Sequence, residues 1–148
     1  MIFPLAIGAG TVYLVWNWKG IMSRFSGTPE MQAVKDNLNL GPVSVETARL
    51  YASNAGFTEP GLTTIVAIAQ AESSLDPNAT LDNKDDAGNV TSTDRGILQI
   101  NSRWHPEVDD MDAFNPVTAF QAGYEISKGG TNFTPWVTYN TGAYLKYL

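Results

Sequence analysis

The 148-residue chain predicts an α+β fold, mostly α, with a small β-hairpin region and a single transmembrane helix ahead of it. Three observations carry that expectation. The first 18 residues bear no charged side chain, capped apolar segments at helical spacing follow, and an Asp-, Asn- and Gly-rich stretch interrupts them near residues 80–93. The length fits one domain with a real core. A hydrophobic share of 43% with 16% charge is that of a globular chain. A net charge of −6 and the lack of a basic patch argue against a nucleic-acid partner. With no cysteine, the fold rests on packing alone in any redox compartment.

Taken in order, Met1–Trp18 reads as a membrane anchor. Tyr13, Trp16 and Trp18 stand where an aromatic belt would sit, Lys19 and Arg24 lie just beyond, and Pro4 suits a first helical turn. A buried core helix is the alternative. A secretory leader fits less well, because no basic stretch precedes the run and no small-residue cleavage site follows it. Lys19 and Arg24 on the C-terminal side favour a cytoplasmic remainder by the positive-inside tendency. Residues 19–43 read as linker and helix, with Ser26–Thr28 as the linker, Pro29 in the first helical turn and a stop before Gly41-Pro42.

Residues 44–148 form the main domain. Ser44 caps a helix over Val45–Asn54 with Gly56 past its end. Thr58-Glu59-Pro60 opens another helix running to about Ser74. Its Leu62, Ile65, Val66, Ile68 and Ala69 are dense enough to require burial on most sides. Thr80–Thr93 reads as loop and hairpin, and Ile97, Leu98 and Ile100 as a short strand or buried turn. Asn115-Pro116 starts a helix running to Lys128 before Gly129-Gly130. The aromatic-rich remainder from Phe133 to Leu148 is expected to pack over a cleft.

The chemistry concentrates in three strings. Glu72 ends the most apolar helix of the main domain, where desolvation should raise its pKa and suit it to act as a general acid. Asp94 follows 22 positions later, at the end of the hairpin. Two such carboxylates are what glycoside cleavage commonly needs. Glu72 stands in Glu-Ser-x-x-Asp-Pro-x-Ala, which resembles soluble lytic transglycosylases, while Ser92–Trp104, with Gly96-Ile97-Leu98-Gln99-Ile100-Asn101 inside it, resembles animal-type lysozymes and small lytic transglycosylases. Trp136-Val137-Thr138-Tyr139-Asn140-Thr141-Gly142 resembles the Tyr-Asn-x-Gly segment of the transglycosylases, as do Asn115-Pro116 and Ala122-Gly123. The resemblance to the lysozyme superfamily covers about Glu59 to Tyr144 and implies a lysozyme-like fold.

That resemblance implies an enzyme acting on peptidoglycan strands at the β-1,4 bond between N-acetylmuramic acid and N-acetylglucosamine. Its product is a 1,6-anhydro sugar if it is a lytic transglycosylase and a reducing end if it is a lysozyme; a non-catalytic wall-binding subunit is the third reading. It implies Glu72 as the acid, and Gln99, Asn101, Tyr139 and Asn140 as substrate-binding residues. Asp94 is either the second catalytic carboxylate or a turn aspartate. Trp104 either stacks on a sugar or lies in the core. No cofactor and no metal are expected: His105 stands alone, and Asn83–Gly88, faintly like a calcium loop, lacks the bidentate glutamate. The anchor places the protein in the bacterial envelope or in a virus particle with an internal membrane, where other envelope or virion proteins could be partners.

Overall fold

The computed structural model describes residues 41–148. The expected anchor at 1–18, and the linker and helix before Gly41, lie outside the described residues. Among those described, no helix is long and apolar enough to cross a membrane.

The fold is α+β, with five α-helices and a three-stranded antiparallel sheet among the described residues. Helix α1 spans Val45–Ala55. Ser44, in extended backbone, accepts from the Thr47 N–H, and Gly56 ends the helix at φ +113°. Its buried residues, Ala48 and Ala52, are one turn apart and small, so α1 can pack closely against its neighbours. Helix α2 spans Gly61–Ser73, and residues 65–69 are all buried. The run of apolar side chains therefore places α2 at the centre of the core, although Leu62 at its first turn is only partly buried. Ser74 and Leu75 both take positive φ and turn the chain so sharply that Leu75 goes back into the core.

The expected hairpin resolves into β1, Thr80–Lys84, and β2, Val90–Arg95, with a two-residue β3, Ile100–Asn101, paired to β2. Leu81 pairs with Asp94, and Asp94 in turn with Asn101; Arg95 pairs with Ile100. Directly opposed residues share a face, so Leu81, Asp94 and Asn101 line one side of the sheet and Arg95 and Ile100 the other. The Arg95 side is the buried one. Ile97 and Leu98 form a buried turn rather than a strand, closed by the Gln99 N–H on the Gly96 carbonyl at 3.0 Å.

Helix α3, Asp110–Phe114, is not foreseen by apolar periodicity; its start is made by Asp109, which accepts from the Asp112 N–H at 2.8 Å. Asn115 closes α3 and caps α4, Pro116–Ile126, which stops two residues short of the expected Lys128. The C-terminal segment carries α5, Val137–Asn140, and a 3-10 turn at Leu145–Tyr147, both packed on α2. Phe133 and Trp136 are its buried anchors; the Tyr139 ring lies tilted against Phe133 and stacks on Tyr144.

Candidate active site

Glu72 lies in the last turn of α2, and side-chain hydrogen bonds tie that turn, the 96–99 turn and the C-terminal segment together. The Ser73 hydroxyl donates to the Ala69 carbonyl at 3.1 Å and to the Ile97 carbonyl at 2.8 Å, which fastens the helix end to the 96–99 turn. The buried Trp136 indole N–H donates to the Leu98 carbonyl at 3.0 Å, which fastens the C-terminal segment to the same turn. Two residues on, the Thr138 hydroxyl donates to Glu72 Oε1 at 2.7 Å. Burial raises the Glu72 carboxyl above its ordinary range. The Thr138 hydrogen bonds oppose that rise in part, and the negative charge of Asp94 adds a smaller push upward.

Asp94 stands on β2 with both oxygens engaged. Oδ2 accepts from the Asn83 amide at 2.9 Å and Oδ1 from the Asn101 amide at 2.7 Å. Asn101 cannot turn away, because its own oxygen accepts from the backbone N–H groups of Arg103 and Trp104 at 3.0 and 3.3 Å. Beneath the sheet, the Arg95 guanidinium donates to the Ile100 carbonyl at 3.1 Å and to Asp110 at 2.9 Å. It is 4% exposed, so this cation acts as an internal strut between sheet and α3.

The other expected site residues fall into two groups. Asn101 belongs to the Asp94 cradle, and Tyr139 stacks on Tyr144 at 5.0 Å beside the segment that reaches Glu72. Gln99 sits at φ +48° with its amide donating to the Ala79 and Gly96 carbonyls, so that donor shapes the turn. The Asn140 amide donates to the Thr134 carbonyl at 2.9 Å, a contact that closes its own loop. Trp104 is 72% exposed with the Arg103 guanidinium over its ring, which places it at the surface and removes the core alternative.

His105 pairs with Glu107 at 3.0 Å. Asp85, in the stretch with a faint likeness to a calcium loop, accepts from the Ala87 and Asn89 N–H groups of its own turn. Among the described residues, no group of three or more His, Asp or Glu side chains converges on a point. Sequence reasoning missed Ser73, Asn83, Arg95 and Thr138 as contributors. None of them stands out by periodicity, and their roles depend on partners 11 to 66 positions away.

A desolvated glutamate at a helix end, acted on by the charge of an amide-held aspartate on a small sheet, is an arrangement suited to protonating and cleaving a glycosidic bond. Residues 49–138, more than half of the chain, match the family model described as a lysozyme-like domain, and the chain belongs to that family. Membership makes peptidoglycan the substrate class and glycosidase-type cleavage the activity class. No curated protein and no solved structure matches the chain.

Proposed function

We propose that this chain cleaves the β-1,4 bond between N-acetylmuramic acid and N-acetylglucosamine as a lytic transglycosylase, leaving 1,6-anhydro-muropeptides. Glu72 gives its proton to the glycosidic oxygen as the anomeric C–O bond breaks. The resulting carboxylate then takes the proton of the muramoyl 6-hydroxyl as that oxygen closes on the anomeric carbon. The observation that supports this reading is the Thr138 hydrogen bond to Glu72. Through it, the segment whose Tyr139-Asn140 pair resembles the transglycosylases closes on the acid.

Hydrolysis of the same bond is the second reading, and the Asp94 cradle favours it. A carboxylate oriented by Asn83 and Asn101, with its charge felt at Glu72, suits an ion-pairing or nucleophilic partner. Mass spectrometry of digested peptidoglycan separates the outcomes. Anhydro-muropeptides support the transglycosylase, reducing ends replace it with the lysozyme reading, and binding without release removes the enzyme reading altogether.

We further propose that residues 1–18 anchor the chain in a membrane, either in the bacterial envelope or in a virus particle that carries an internal membrane. The support is the uncharged run bordered by Tyr13, Trp16 and Trp18.

A further inference from the structure

We infer that Thr138 is a positioning residue for this reaction, holding Oε1 of Glu72 so that the transferable proton rides on Oε2, and thereby setting the pH range over which the acid works. The inference rests on the reading of Glu72 as the acid. The Thr138 hydroxyl lies 2.7 Å from Oε1, and its O–H donates there. An oxygen that already accepts a strong hydrogen bond is the poorer place for a proton, so protonation falls on the other oxygen. Donation to the carboxylate also favours the charged form, against the burial that disfavours it.

Thr138 is itself held by structure distant from Glu72. It sits in the first turn of α5, two residues after the Trp136 anchor on Leu98, and its carbonyl accepts the Tyr144 N–H. The hydroxyl is thus delivered by a rigid segment rather than by a free side chain, as orientation of a catalytic proton requires. The titratable and charged groups on elements packed against α2 are Glu46, Arg49 and Tyr51 on α1, Tyr139 on α5, and Lys146 and Tyr147 on the 3-10 turn, and Asp94 on β2 reaches Glu72 by its charge. Of these, only Asp94 acts on the Glu72 carboxyl, and it pushes in the direction opposite to Thr138.

The test uses the full chain and the variants Thr138→Val, which keeps the shape without the hydroxyl, and Thr138→Ser, which keeps the hydroxyl. The Glu72 carboxyl carbon is followed by NMR across pH, with Glu72→Gln to identify its signal. In Thr138→Val the titration midpoint moves to higher pH, the alkaline limb of kcat/KM moves the same way, and kcat falls about tenfold. Thr138→Ser returns all three toward the wild type. An unmoved midpoint in Thr138→Val, or a Ser variant no better than Val, overturns the inference. If Thr138→Val does not fold, Thr138→Ala carries the same comparison. The NMR titration needs no turnover, so it stands apart from the assignment of the acid, which fails separately if folded Glu72→Gln still clears walls.

Discussion

On the proposed reading of Glu72 as the acid, one proton couples function to stability. The folded-state pKa of Glu72 is raised above the ordinary 4.5, so the native state keeps this proton to higher pH than the unfolded chain does. Below the ordinary value both states are protonated and no stability is lost; as pH rises through the folded value, the buried carboxyl must ionise and stability falls. Glu72→Gln should therefore abolish wall clearing while giving a higher Tm than wild type at pH 8, with the gap closing toward pH 4. A variant less stable than wild type at pH 8, or one that still clears walls, contradicts this account. At Asp94 the Asn substitution replaces one acceptor by a donor, and only the Asn83 amide can rotate to suit it, since Asn101 is locked by two backbone N–H groups. If the muramoyl hydroxyl closes the ring, Asp94→Asn should reduce kcat about tenfold; a loss of about 10³-fold or more with binding intact points to the hydrolase.

At the scale of elements, the 96–99 turn organises the site, because Ser73 and Trp136 both fasten to it. Gly96 permits that turn: it sits at φ +70°, and a Cβ there would come within 1.9 Å of the Ala113 carbonyl oxygen on α3. Gly96→Ala should destabilise the protein by about 3 kcal/mol or more, through backbone strain and overlap together. Chemical denaturation measures it, and a loss under about 1 kcal/mol would show that α3 yields easily. The turn and α3 also mark where periodicity stops being informative. Ile97, Leu98 and Ile100 are equally apolar, yet two lie in a turn and one in a strand, because the split depends on the positive φ of Gly96 and Gln99. Helix α3 arises from the Asp109 cap rather than from an apolar stripe.

Across the whole domain, Arg95 joins the sheet to the helical part through Asp110, while its bond to the Ile100 carbonyl stays within the sheet. Arg95→Met keeps the apolar stem but leaves the Ile100 carbonyl short of a donor, and should cost about 2 kcal/mol. Hydrogen exchange should then show residues 80–101 opening before α2; uniform protection across both would argue against a separable sheet. The anchor proposal is tested at the same scale. The full chain should partition into detergent, while a chain shortened to begin at about Thr28 should stay in buffer and remain active. A full chain equally soluble in plain buffer refutes the anchor.

Much of this protein was legible in local chemistry. Caps, apolar density and turn residues announce α1, α2, the hairpin and α4, because each signal acts between residues a few positions apart. As candidates, Glu72 and Asp94 were legible too, by residue type, spacing and resemblance. What surrounds them was not. The Asn83–Asp94–Asn101 cradle depends on strand register, the Thr138 contact spans 66 positions, and the Arg95 strut exists only once sheet and α3 meet. Hydrogen bonds between side chains remote in sequence carry no periodic trace, so the two carboxylates could be named beforehand, while the groups that orient them came into view only with the chain folded.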